Sequence, residues 1–368
     1  MAKTIPAGWQ EKTLGDILDK GASVLSANKL NNCQGEYPVY GARGLIAKVN
    51  FYQQDKEYLA IIKDGAGVGR VYHYEANSSV LGTLQYLFPK CEINIRFGYY
   101  YLQSIDFSKY YQGAAIPHIY YNDYKKEKII LPSLPEQERI VAKLDKAFEA
   151  IDKAKAIAEN NLKNAKELFE SSLNKAFTEN TNDWEEKKLG EVCIIIAGQS
   201  PNSQFYNTEA KGLPFYQGKK EFTNKYIGAP SVWTTEITKE ALSGDILMSV
   251  RAPVGPINYA TEKCCIGRGL ASIRNSKLLS KDFLFYYLLS IQQKIGGHDG
   301  AVFNSISRSE ISAVKIRFPS IPDQQNIVAR LDKLHEQTKQ LEAVYSQKIK
   351  NLDELKQSIL KRAFRGEL

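Results

Sequence analysis

The chain has 368 residues, 43% of them hydrophobic and 24% charged, with a formal net charge of +8. Those values fit two globular domains and sit away from disordered and membrane classes, since no stretch approaches the roughly 18 consecutive apolar residues of a spanning helix. The basic balance favours a polyanionic partner such as nucleic acid, and the start, Met1 to Pro6, lacks the apolar core of a signal peptide, so the cytoplasm is the expected location.

The first segment, residues 1–130, is built of short β-type runs separated by glycines. Tyr37–Gly41, Tyr58–Ile62, Arg70–Tyr74 and Lys128–Leu131 are the expected strands, and Phe97–Ile105 the expected helix. Gly65-Ala-Gly-Val-Gly69 looks superficially like a dinucleotide-binding loop. A β-type run follows it, however, where a phosphate-binding loop needs a helix N-terminus, so a tight turn is expected.

Residues 131–178 change character. Ser133-x-x-Glu136 has the form of a capping box with Pro135 in the first turn. After it Ile140, Leu144, Phe148, Ile151, Ala154, Ala158, Leu162, Ala165, Phe169, Leu173 and Ala176 recur every three or four positions, one apolar stripe on an uninterrupted helix. From Glu136 to Phe177 such a helix rises about 63 Å at 1.5 Å per residue, and a stripe so long requires an equally long partner.

The chain supplies one. Residues 131–146 (LPSLPEQERIVAKLDK) lie over 318–333 (FPSIPDQQNIVARLDK), 187 positions on, and the register runs without a gap to Ala176-Phe177 over Ala363-Phe364. A period that long is a duplication of a whole domain-plus-helix unit rather than a solenoid. The second helix, within 318–368, starts with Ser320-x-x-Asp323 and has its stripe at Ile327, Leu331, Leu334, Leu341, Tyr345, Ile349, Leu352, Leu355 and Ile359. One such helix suggests an oligomerisation coiled coil. Two in one chain favour an intramolecular antiparallel pair.

Between the helices, after a polar linker (Thr178 to Asp183), residues 179–317 restart the first segment. Trp9-x-Glu-x-x-Leu-Gly15 returns as Trp184-x-Glu-x-x-Leu-Gly190, Ala66–Gly69 as Ala252–Gly255, and Phe97–Ser104 as Phe283–Ser290. Residues 17–60 and 192–246 share almost nothing. The expected class is therefore α+β: two mixed domains of common fold, separated by two long helices and related by an internal pseudo-two-fold repeat.

Chemistry for catalysis is missing from this pattern. The chain has no Asn/Asp-Pro-Pro-Tyr/Phe tetrapeptide of amino-methyltransferases and no phosphate loop of the form G-x-x-x-x-G-K-[ST]. Asp323 and the Glu354/Lys356 pair imitate a nuclease triad on paper, but 31 residues of helix, about 46 Å, separate them. The odd set Cys33, Cys91, Cys193, Cys264 and Cys265 has no C-x-x-C pair, and the four histidines are scattered, so reduced thiols and no metal site are expected.

Arg or Lys on guanine and Asn or Gln on adenine are the groups that read the major groove. They occur in glycine-bracketed loops: Asn28, Lys29, Tyr40, Arg43, Lys63 and Arg70 in the first segment, with Gln217, Lys219, Lys220, Arg251 and Arg268 in the second. For any single one the default is a solvated loop charge, and Gly267-Arg268-Gly269 suits a phosphate as well as a base.

The paired Pro-x-x-Glu/Asp-Gln-x-x-Ile-Val-Ala-x-Leu-Asp segments, each following a Trp-x-Glu-x-x-Leu-Gly unit, and the closing Ala363-Phe-Arg-Gly-Glu-Leu368 resemble the specificity subunit of Type I restriction-modification enzymes. The resemblance covers essentially the whole chain. It implies a non-catalytic subunit whose two target-recognition domains each read one half of a split double-stranded DNA site, with the helix pair as the ruler between them. Two adenine-N6 methyltransferase subunits using S-adenosylmethionine, and two translocase/nuclease subunits using ATP and Mg, would be its partners; no cofactor is expected on this chain itself. Pro135 and Gln137, with Pro322 and Gln324, are the docking candidates the resemblance implies. Two other classes stand beside it: a stand-alone bipartite DNA-binding regulator, and a coiled-coil scaffold without sequence preference.

Overall fold

The computed structural model describes residues 8–30, 34–113, 116–179, 181–296 and 305–368. Cys33, His298, Asn180 and the Met1 to Pro6 stretch lie outside them. The chain divides into two compact units, residues 1–159 with 346–368 and residues 160–345. Each unit thus combines one globular part with a portion of both long helices, a grouping that the four linear segments do not express.

In the first unit the core sheet is antiparallel, ordered Leu18–Ala22, Leu84–Pro89, Tyr58–Ile62, Val71–Tyr74. Tyr58–Ile62 is an apolar run without alternation, and all five of its residues are buried, as an inner strand covered on both faces requires. Fully burying Leu59, Ile61 and Ile62 stabilises by roughly 1.5–3 kcal/mol each. One cover is the helix Ile95–Ser104, whose N-cap Asn94 accepts hydrogen bonds from the N–H groups of Arg96 and Phe97. A second sheet, Gly44–Val49, Tyr37–Gly41 and Ser79–Val80, carries its own small core of Leu30, Val39 and Val49. Gly65, Gly67 and Gly69 have φ of +85°, +90° and +85°, and the strand Val71–Tyr74 follows; the glycine loop is a tight turn.

The second unit repeats the core sheet as Cys193–Ala197, Leu270–Asn275, Ile246–Ser249 and Ile257–Tyr259, covered by the helix Lys281–Ser290. Its other sheet differs outright: five strands in the order Tyr206–Asn207, Trp233–Thr234, Leu213–Tyr216, Cys264–Ile266, Glu240–Ala241. The outer sheets and their loops thus differ most, while the order of the core sheet is kept. The chemistry of the inner thiols is inert: burial pushes Cys193 and Cys264 up to about 12, so both stay protonated.

The long helices are Leu134–Thr178 and Ile321–Ala363. Inside the first unit their portions run antiparallel, with Asp152 paired to Lys356 at 3.0 Å and Lys155 to Asp353 at 2.6 Å. Inside the second unit Phe169 packs on His335 with ring centroids 4.8 Å apart. The first stripe is buried or half-buried throughout. The second departs from expectation at Leu341 and Leu355, which are 41% and 47% exposed. Thr338 takes the inward place instead, 2% exposed, its hydroxyl donating to the carbonyls of Leu334 and His335 at 3.0 Å. The capping boxes also take another form. Glu136 holds the guanidinium of Arg139 in a two-pronged ion pair, and the Ser320 hydroxyl donates to Asp323.

Candidate DNA-reading loops and the helix anchors

In the second unit the expected reading residues converge on Gly269. Its N–H donates to Gln217 O (3.0 Å), its carbonyl accepts from Val250 N (2.9 Å), and Gly267 N donates to Tyr216 O (2.9 Å). Three loops that are far apart in sequence therefore meet, bringing Gln217, Arg251 and Arg268 together, with Lys219 and Lys220 on the turn that follows Gln217. A Cβ at Gly269 would overlap the Gln217 carbonyl, so this crossing needs glycine. The parallel pairing of Tyr216 with Ile266 delivers two of the loops side by side. Arg268 N donates to the Ser200 hydroxyl at 3.2 Å, which adds a fourth segment. All five side chains are exposed or half-buried at the surface.

The first unit assembles its set more loosely. Leu81 N donates to Tyr40 O, Gly82 N to Leu25 O and Lys63 N to Thr83 O, at 2.8, 2.8 and 3.0 Å. Residues 81–83 thus lace the Tyr40 strand, the Lys63 turn and the segment entering the short helix Ala27–Lys29, which carries Asn28 and Lys29. Arg43 stands at the hairpin turn beyond Tyr40, and Arg70 at the end of the glycine turn. Arg43, Arg70, Asn28 and Lys29 are exposed, whereas Lys63 is half-buried beside Asp64 at 3.7 Å. The ring of Tyr40 is stacked on Tyr74, 4.0 Å between centroids, so one of its faces is already covered.

The docking candidates require a correction. Pro135 and Pro322 are exposed, but Gln137 and Gln324 are 1% and 0% exposed. Gln137 Oε1 accepts from Asn94 N and its Nε2 donates to Pro132 O, both at 2.9 Å. Gln324 Oε1 accepts from Ser280 N at 2.9 Å, and its Nε2 donates to Leu278 O and Pro319 O. Both amides are buried and bonded within their own unit, so neither is presented to a partner. Each ties a long helix to the N-cap residue of the helix covering the core sheet, so these glutamines are anchors within their units.

Two further anchors repeat. Tyr100 donates to Asp145 Oδ1 and Tyr286 to Asp332 Oδ1, both at 2.5 Å, while Arg96 and Lys225 complete the two carboxylates' charge pairing. Burial, reinforced by the bonded carboxylate, pushes both phenols well above the ordinary tyrosine range, so they remain donors. Phe364 meets Phe97 and Tyr101 edge-on at 5.2 and 5.1 Å, and Phe177 meets Phe283 and Tyr287 at 5.4 Å each. A phenylalanine at the end of each long helix, Phe177 in its last turn and Phe364 just past Ala363, thus packs on the covering helix of a unit. The sequence signal was available in every case: Asp145/Asp332 and Phe177/Phe364 are 187 apart, and Tyr100/Tyr286 are 186 apart.

The two turns differ in one respect. Arg139 donates to the Leu368 carbonyl at 2.8 Å in the first unit. In the second, Pro319, Ser320 and Asp323 border a groove of about 850 Å³ with Lys175, Trp184 and Arg330. Among the described residues no group of His, Cys, Asp or Glu is placed to hold a metal ion, and no helix is long and apolar enough to cross a membrane.

Comparison with known proteins gives a consistent result. The Type I restriction modification DNA specificity domain matches twice, over residues 6–162 and 181–351. The putative type I restriction enzyme MjaX specificity subunit of Methanocaldococcus jannaschii is 34% identical, the match covering 89% of this chain and 87% of that protein. The EcoDI specificity subunit of Escherichia coli is 24% identical over 100% of this chain and 90% of its own. Among solved structures, a chain of a type I restriction-modification system superposes with a TM-score of 0.82 at 28% identity, covering 99% of this chain and 100% of its own. The HsdS subunit of Thermoanaerobacter tengcongensis gives 0.62 at 27%, covering 100% and 99%. With two matched domains and recognition rather than catalysis as its part, this chain belongs to the family of Type I restriction-modification DNA specificity subunits.

Proposed function

We propose that this chain reads a bipartite double-stranded DNA target, one half-site per unit, and directs adenine-N6 methylation and restriction by partner subunits in the cytoplasm. The observation that carries this reading is the combination of a repeated frame with unlike contents. Both units keep the core sheet and the three helix anchors, while the outer sheets and the cationic and amide-bearing loops differ. Two readers of one construction but different loops suit a site of two different halves. Arg and Lys at the loop tips supply phosphate neutralisation and guanine contacts, and Gln217 and Asn28 suit adenine.

Methyltransferase subunits carrying S-adenosylmethionine and translocase subunits using ATP and Mg would provide the chemistry, two of each, with this chain supplying orientation on the target. Exposed Pro135 and Pro322 remain candidates for the docking turns. The test is methylome sequencing of a host expressing the partner methyltransferase with and without this chain. The expected outcome is a methylated-adenine motif of two short halves around a fixed gap that disappears with the chain. Unchanged adenine methylation with an active partner would instead indicate a stand-alone DNA-binding regulator.

A further inference from the structure

Loops that read two different half-sites must differ, so a loop that both units retain serves something the halves have in common. Gly113-Ala-Ala-Ile116 lies over Gly300-Ala-Val-Phe303 at the 187-residue spacing, with a large apolar residue at the fourth place. The attachment of the loop is retained as well. His118 bridges to Asp64 as Ser305 bridges to Arg251, and Ile119 N donates to Lys63 O at 2.9 Å as Ile306 N does to Val250 O at 3.0 Å. Phe303 lies outside the described residues, so the geometry comes from the first unit.

There the loop is held at its base. Gln112 and His118 exchange two backbone hydrogen bonds of 2.9 Å, Gly65 N donates to Pro117 O at 3.0 Å, and the Tyr111 hydroxyl donates to Val68 O at 2.7 Å. Ile116 beyond this base is 64% exposed, with Tyr111 and Tyr120 at 46% and 52% on either side. An isoleucine so exposed on a loop so well tied contributes little to the core of its own unit.

We infer that Ile116 is an apolar wedge that enters the base stack of the bound duplex. The inference rests on the DNA-reading function proposed above. Isoleucine and phenylalanine are among the side chains that part base steps in this way, and every step offers an apolar face whatever its sequence. A wedge of this kind is independent of the bases being read, which fits the recurrence of its sequence pattern where the readers diverge. Duplex DNA is favoured as occupant because the loop is fastened to the turn that ends in Arg70, and its counterpart to Arg251 itself; both side chains are exposed to hold phosphates alongside.

The experiment uses the full chain assembled with its methyltransferase subunits. The probes are duplexes of the methylated motif with 2-aminopurine placed in turn at each position of the first half-site and its flanks, excluding the methylated adenine. The wild-type complex is expected to raise the emission severalfold at one position. Ile116→Ala should return that signal to the free-duplex level and weaken binding by about tenfold, with sequence preference retained, and Ile116→Phe should restore both. An Ile116→Ala complex that binds and unstacks like wild type overturns the wedge. So does an Ile116→Ala chain that no longer co-purifies with the methyltransferase, which would make the loop a protein contact. Failure of the wild-type complex to bind any of these duplexes would instead overturn the DNA-reading function.

Discussion

At positions 137 and 324 an amide side chain is used for both of its functions at once, accepting from one backbone N–H and donating to at least one backbone carbonyl. A helix N-terminus exposes donors without intrahelical partners, and a neighbouring segment brought against it buries polar groups of its own. Glutamine bridges both needs where an apolar residue would strand them. Removing it leaves a buried N–H and a buried C=O unpaired at about 1–3 kcal/mol each. Gln137→Ala is therefore expected to lower stability by roughly 2–4 kcal/mol in urea denaturation, with sequence preference unchanged in the protein that remains folded. Gln137→Glu keeps the acceptor and loses the donor unless it is protonated. Burial raises the carboxyl above its ordinary value near 4.3, so its stability relative to wild type should be greatest below about pH 4 and be lost as pH rises through the raised value. These glutamines were visible in the sequence as a repeat, but their direction was not. A polar residue in the first turn of a helix usually faces water, and only the N-cap of a distant helix turns it inward.

The elements show why some of the fold was legible and some not. Tyr58–Ile62 was readable because a short apolar run between turn signals has few alternatives to an inner strand. In the second helix Leu341 and Leu355 face outward because apolar identity alone does not fix the inward direction. Thr338 satisfies its own hydroxyl within the helix and so can face inward at little cost. Convergence of Gln217, Arg251 and Arg268 depends on strand pairings that no local pattern contains. At this scale the helix ends are the decisive contacts. Phe364 is 9% exposed against Phe97 and Tyr101, and Leu360 and Ala363 beside it are at 1% and 0%. Phe364→Ala should cost about 3 kcal/mol and loosen the first unit selectively. In hydrogen exchange, amides of Ile95–Ser104 should lose protection while those of Lys281–Ser290 keep theirs. Equal loss in both would show that the two units do not open separately.

For the whole molecule the duplication was legible because one spacing of 187 residues holds without a gap along the full length of both long helices, which only a copied stretch of chain produces. The shared frame of the two units followed from it. Modularity of reading is the matching expectation. Exchanging residues 192–246 for the corresponding segment of another family member should alter one half of the methylated motif and leave the other intact, as methylome sequencing would report. A change in both halves would contradict independent reading by the two units.

The first unit draws its interior from residues 1–159 and again from residues 346–368, whereas the second is a single contiguous span. Synthesis therefore completes them in an order opposite to their numbering. The nascent second unit has all of its own chain while the first still lacks Leu360, Ala363 and Phe364 at its centre. At about 5–20 residues per second the N-terminal portion waits roughly ten to forty seconds for those residues. A chain that ends before Leu360 thus has an open apolar gap in its first unit. Such a protein exposes apolar surface of the kind that chaperones and proteases act on, and the finished second unit does not protect it from them.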